Sequence, residues 1–216
     1  MSEMIENALK RATDTKACRI GDGVLGDTVA LFREFFPGAD RAIVVEDPRT
    51  RAAAGERVAE MLRANGVEVA EHVIEPGGRT FHADYRYVDE VREAIKAAGV
   101  DRDGRKIVPV AVGSGVVNDL TKRASGELEI PYLTVGTAAS VDGYSSFGAA
   151  LRSPEGAKQT YPCPAPRAIV ADLDVMRTAP KWMAASGFAD LMAKVPAGAD
   201  WILAYELGAA EWHDSS

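Results

Sequence analysis

Short apolar runs rich in valine and isoleucine alternate along this chain with longer segments whose apolar residues recur at helical spacing. The run from Arg41 to Glu46 (RAIVVE) stops at Asp47-Pro48, and between Arg51 and Ala64 the residues Val58, Met61 and Leu62 share one side of a helix. GVEVAEHVIEP, starting at Gly66, predicts a strand with polar interruptions. Tyr85 to Ala98 carries a helical stripe at Val88, Val91 and Ile95, and Lys106 to Val112 is apolar again. EIPYLTV at 129–135 and RAIVADL at 167–173 predict two further strands. Runs such as IVPVAV at 107–112 barely alternate, as happens when helices cover both faces of a parallel sheet. The pattern predicts an α/β fold.

The organisation changes near residue 172. Segments 172–181 and 187–206 keep helical spacing with no strand between them, which predicts an α/β domain over residues 1–170 and the beginning of an α-helical one over 171–216. Pro196 and Gly198 interrupt the last segment. An interior proline costs about 3 kcal/mol by removing a hydrogen bond, so a break is expected near Val195.

Composition narrows the function classes. The 216 residues, 47% hydrophobic and 26% charged, suffice for a sizeable core. No apolar run approaches the roughly 20 residues that cross a bilayer, and the opening MSEMIENALKRATDTK lacks the apolar core of a signal peptide. The expectation is a cytoplasmic protein without a membrane partner. A net charge of −7 with no concentrated basic face argues against a nucleic-acid surface. Cys18 and Cys163 are far apart and too few for a disulfide framework or a thiolate zinc site, and are expected to be small buried or half-buried residues.

The stretch VAVGSGVVNDLTKRAS at 110–125 concentrates the candidate chemistry. Two glycines after a buried strand let backbone approach an anion, and a helix from Val116 would turn its free N–H groups and positive dipole end toward a phosphate. On two glycines alone a plain strand-to-helix turn is the better reading. The ordinary dinucleotide fingerprint also has its acid about 20 positions after the glycines, whereas Asp47 lies upstream of them.

The surrounding motifs alter that balance. Gly113-Ser114-Gly115 is followed by Asp119 and Lys122, then by TVGTAASVDGYSS at 134–146, KQTYPCPAPRAIVADLDVM at 158–176 and GFADLMAK at 187–194. This ordered set resembles the sn-glycerol-1-phosphate dehydrogenases, particularly their bacterial branch, within the superfamily of iron-dependent alcohol dehydrogenases, glycerol dehydrogenases and dehydroquinate synthases. That family's loop reads G-G-G-x-x-x-D-x-x-K, and Ser114 replaces its middle glycine. The resemblance runs from about Ala17 to Trp201.

The resemblance implies a Rossmann-like, parallel-sheet domain binding NAD(H) or NADP(H). Gly113, Ser114, Gly115, Val116 and Val117 match its pyrophosphate loop, Thr137, Ala138, Ala139 and Ser140 a second coenzyme segment, and Ser146 a further contact. Asp142 matches the residue that holds the substrate hydroxyls, and Asp190 a metal ligand that also faces substrate; carboxylates suit both tasks. The activity implied is reduction of dihydroxyacetone phosphate to sn-glycerol 1-phosphate, a step of phospholipid metabolism, with Zn²⁺ or Ni²⁺ polarising the carbonyl. The partner is a small phosphorylated polyol or ketone, and the full-length protein is expected to be a homo-oligomer, a dimer or larger.

Plainer readings stand beside these. Asp142-Gly143 is a common turn pair, and Asp190, three residues after Gly187, suits the first turn of a helix. Asp47 serves equally as a helix cap before Pro48 or as a ribose contact; the latter predicts NADH over NADPH, with Arg49 and Arg51 close enough in sequence to oppose it. Lys122 and Lys158 are expected to be solvated charges, and His72 and His82 to be structural. His213 does not match the family's histidine ligands, which lie well beyond Asp190, so the metal site is incomplete as written and a fragment of a longer protein is expected. A glycerol dehydrogenase, a dehydroquinate synthase and a non-catalytic nucleotide-binding module are the alternatives.

Overall fold

The computed structural model describes residues 3–78, 80–99 and 106–211, and His213 lies outside them. Helix α1 (Glu3–Arg11) leads to strand β1 (Ala17–Gly21), α2 (Asp27–Phe35) and β2 (Ala39–Glu46). The next helix has three parts, α3 (Pro48–Thr50), a π-helical stretch (Arg51–Gly55) and α4 (Glu56–Ala64). Then follow β3 (Glu68–Val73), α5 (Tyr85–Ala97), β4 (Lys106–Gly113), α6 (Gly115–Glu127) and β5 (Leu133–Gly136). β6 (Ala149–Arg152), β7 (Lys158–Tyr161), β8 (Ala168–Asp172), α7 (Leu173–Met176), α8 (Lys181–Met192) and α9 (Lys194–Glu206) complete the described chain.

Six strands form one sheet in the order β1-β8-β5-β4-β2-β3, and every pairing in it is parallel. The Rossmann-like α/β fold expected from the sequence is the observed one. Alternation along β2 explains the non-alternating apolar runs. Ala42 and Val44 enter a cluster with Phe32, Val58 and Leu62 from α2 and α4, while Ile43 and Val45 enter a second with Val88, Val91, Ile95 and Leu120 from α5 and α6. Helices cover both faces, so both sets of strand side chains must be apolar.

Two features escaped the sequence pattern. β1 is a five-residue edge strand, too short and too interrupted by Arg19 to show a period. β6 and β7 form a separate antiparallel hairpin, Ala149 pairing with Tyr161 and Arg152 with Lys158. Its strands have four residues each, and the second, KQTY, carries no apolar alternation. The helical break expected near Val195 falls at Ala193, which caps both α8 and α9. Pro196 therefore sits in the first turn of α9, where no N–H donor is needed. Cys163 is buried and Cys18 half-buried, as expected.

The topology has a switch point. From β2 the chain proceeds through α4, on one face, to β3, whereas from β4 it proceeds through α6, on the opposite face, to β5 on the other side. A crevice opens outside the carboxyl ends of two strands so arranged, and in open α/β sheets this is where ligands bind.

Candidate functional site

The glycine loop stands at this crevice. Gly113 ends β4 and Ser114 caps α6, a 13-residue helix, without a side-chain cap hydrogen bond. The first-turn N–H groups of Gly115, Val116 and Val117 therefore face outward without a capping side chain, as an anion site requires. A Cβ on Gly113 would lie 2.5 Å from the Cβ of Val117, so glycine permits α6 to pack directly over the strand end. Ser114 has φ −102° and ψ −156°, an extended conformation open to any residue, which explains why a serine fits where the family has glycine.

The second segment is bonded to the first. The Thr137 N–H donates to Gly113 O at 3.0 Å, and the Tyr144 hydroxyl donates to Ala138 O at 2.8 Å. Burial raises the Tyr144 pKa, so the phenol stays protonated as a donor. Thr137, Ala138 and Val117 are buried, Ser140 is half-buried and Ala139 is exposed. Only the backbone of Val117 is available to a ligand, because its side chain belongs to the core.

Lys122 is not the solvated charge expected. Its side chain is fully buried, and Nζ donates to Gly143 O at 3.3 Å, Ser146 O at 3.0 Å and Gly148 O at 3.1 Å, with Asp119 Oδ1 3.6 Å away. Burial lowers the Lys122 pKa while Asp119 opposes it, and burial raises that of Asp119. The ammonium thus ties the 143–148 loop to α6. The D-x-x-K spacing, one helical turn, was the available signal for this pair.

Asp142 and Asp190 meet across 48 residues. The Asp142 N–H donates to Asp190 Oδ2 at 3.0 Å, and Lys194 Nζ lies 3.1 Å from Asp142 Oδ2 and 3.4 Å from Asp190 Oδ1. The Asp142 N–H, with help from Lys194, holds the Asp190 carboxyl below its usual range. Gly187 makes the contact possible, since a Cβ there would fall on the Ala139 carbonyl oxygen. Sequence reasoning passed over Gly187 and Lys194 because the contacts that give them a role, with Ala139 and Asp142, reach across more than 45 residues.

A cleft of about 540 Å³ gathers Gly115, Val116, Asp142, Ser146 and Asp190 with His82, Arg152 and Lys158. The hairpin thereby brings two cations to the glycine loop, and Lys158, though exposed as expected, faces that shared space. His72 Nε2 lies 3.1 Å from Glu90 Oε1, in keeping with a structural role. Asp47 stands apart at the end of β2. Its Oδ1 accepts from Arg49 N at 2.8 Å and Thr50 N at 3.1 Å, and the Thr50 hydroxyl lies 2.9 Å from the Asp47 N–H, a capping box.

This architecture defines a class. Residues 19–180 match the family model described as iron-containing alcohol dehydrogenase, and the chain belongs to that family. Among curated proteins it is 36% identical over 165 residues to glycerol-1-phosphate dehydrogenase [NAD(P)+] of Halalkalibacterium halodurans, covering 76% of this chain and 39% of that one. It is 33% identical over 188 residues to the enzyme of that name from Methanothermobacter thermautotrophicus, covering 87% and 49%. The chain thus spans between two fifths and half the length of these relatives. Glycerol dehydrogenase from Schizosaccharomyces pombe shares the fold with a TM-score of 0.66 at 23% identity, over 84% of this chain and 43% of that one. A 2-deoxy-scyllo-inosose synthase complexed with carbaglucose-6-phosphate, NAD+ and Co2+ does so with a TM-score of 0.62 at 21% identity, over 76% and 43%.

Proposed function

We propose that this chain supplies the coenzyme-binding part of an enzyme that reduces dihydroxyacetone phosphate to sn-glycerol 1-phosphate with NADH or NADPH. The observation that carries the reading is the uncapped N-terminus of α6 sharing one cleft with Asp142 and Asp190. In this reading residues 1–170 are the NAD(P)-binding domain and 171–216 the start of the helical one. The N–H groups from Gly115 to Val117 hold the pyrophosphate, and the 137–140 segment and Ser146 line the path of the coenzyme. Asp142 accepts from the substrate hydroxyls. Arg152, Lys158 and His82 place positive or protonatable groups beside them, which favours a phosphorylated substrate over glycerol.

Bound nicotinamide supplies the hydride. The metal is a different matter. Asp190 is the ligand the family resemblance offers, yet among the described residues no group of three His, Cys, Asp or Glu side chains is placed to hold an ion. Catalytic zinc sites usually draw three protein ligands, so these residues do not fit a metal by themselves and no step is derived through one. Measurable NADH binding by the 216-residue chain, without tight uptake of nickel or zinc, is the expected calorimetric result. The substrate is tested with the product of the complete reading frame, by comparing NADH oxidation with dihydroxyacetone phosphate and with dihydroxyacetone. Preference for the unphosphorylated ketone would overturn the substrate reading in favour of a glycerol dehydrogenase.

A further inference from the structure

The crevice is bounded by β4 on one side and by the end of β2 on the other, where the adenosine ribose of a dinucleotide lies in doubly wound folds. An arginine near that strand end ordinarily accepts the 2′-phosphate of NADP(H). Arg51 stands four residues after Asp47, and each of its three guanidinium nitrogens lies within ion-pair distance of an acidic side chain, with a hydrogen bond from Nη2 to Glu71. Nε lies 3.3 Å from Glu46 Oε1, Nη1 3.1 Å from Glu56 Oε1 and Nη2 3.4 Å from Glu71 Oε1. The three acids come from β2, α4 and β3, so the cage is a product of the fold and not of one helix. Glu71 is itself fixed by Arg63 Nη2 at 2.6 Å.

Glu46 is the unusual member. It is 0% exposed, neither carboxylate oxygen has a hydrogen-bond partner, and a Cβ at Gly55 would fall on Oε2. The π-helical stretch ending at Gly55 makes room for a carboxylate beneath the helix. A buried acid without hydrogen bonds is costly, and the nearby guanidinium is its main compensation.

We propose that Glu46, Glu56 and Glu71 set the coenzyme preference of the crevice by withholding the Arg51 guanidinium from a 2′-phosphate, an inference that rests on the coenzyme reading above. To receive that phosphate Arg51 must leave three acidic side chains, and the phosphate must approach Glu56, Glu71 and Asp47. A ribose 2′-hydroxyl meets no such repulsion. Exposed Arg49, two residues after Asp47, sets the residual affinity for NADPH.

The test is titration of the chain with NADH and with NADPH, followed by nicotinamide fluorescence, for the native sequence, Glu71→Gln, Glu56→Gln and the double variant Glu71→Gln, Arg51→Ala. A melting curve on each variant confirms the fold. Native protein is expected to bind NADH at least about tenfold more tightly, a difference of roughly 1.4 kcal/mol. Each glutamine variant narrows that ratio about threefold or more, and the added Arg51→Ala restores it. A native ratio near one, a ratio unmoved by both glutamine variants, or a gain in NADPH affinity that survives loss of Arg51 would overturn the proposal. Failure of the native chain to bind either coenzyme would instead overturn the coenzyme reading on which it stands.

Discussion

At the scale of single residues, Glu46 and Asp47 are neighbours in sequence with opposite fates. Burial, reinforced by Glu71, pushes the Glu46 carboxyl up to about 7, against an ordinary value near 4.5. A carboxyl whose folded pKa is raised contributes stability fully present below its unfolded pKa, and that contribution is lost as pH rises through the folded value. The protein should therefore lose stability between about pH 5 and pH 8, by up to roughly 3 kcal/mol from this group. Urea unfolding at the two ends of the range measures it. Glu46→Gln should flatten the dependence; an unchanged slope would mean that Glu46 does not titrate there. Asp47 stays at the surface and caps a helix, so Asp47→Ala should cost about 1 kcal/mol of stability. If Asp47 also meets the ribose, the same substitution weakens NADH binding beyond that loss of stability, which titration at a temperature well below the melting point separates.

Between elements, close approach depends on missing side chains. Gly187 lets α8 rest on the backbone at Ala139, which brings Asp190 to the Asp142 N–H. Gly187→Ala should push α8 away and break that bond while leaving the parallel sheet intact. Hydrogen exchange at the Asp142 amide is expected to quicken at least about tenfold with little change in the β4 and β5 amides. Protection unchanged at Asp142 would show that the contact tolerates a methyl group. Gly113→Ala is the parallel case at α6. There the new methyl meets Val117, a core residue that cannot yield freely, so destabilisation by about 1–3 kcal/mol is expected together with loss of coenzyme binding.

At the scale of the whole molecule, the two clusters flanking the sheet contrast with α8 and α9. Neither of those helices has a buried residue, and Trp182, Phe188, Val195 and Leu203 are each more than half exposed. An apolar surface of this extent attracts other apolar groups. The chain should therefore bind an apolar reporter dye in its native state. Phe188→Lys with Leu191→Lys should reduce the dye signal by about half or more without lowering the melting temperature, because neither residue belongs to the core. A fall in melting temperature would show that the two side chains are packed after all.

The sequence by itself determined the alternation of strand and helix, the two-sided burial of β2 and β4, and the glycine loop before α6. Each is written in a local period or in residues a few positions apart. Ser114 could replace a glycine unnoticed because its backbone is ordinary, whereas Gly113 could not. What only the tertiary structure decided is everything that depends on side chains meeting from distant segments. Lys122 looks like one more surface lysine until three carbonyls of the 143–148 loop close over it. Arg51 looks like a free cation beside Asp47 until β3 brings Glu71 to it and the strand end presents Glu46 from below. Hydrophobic period fixes which face a residue joins, but charge pairing depends on which strands become neighbours, and sheet order is not encoded in any local pattern.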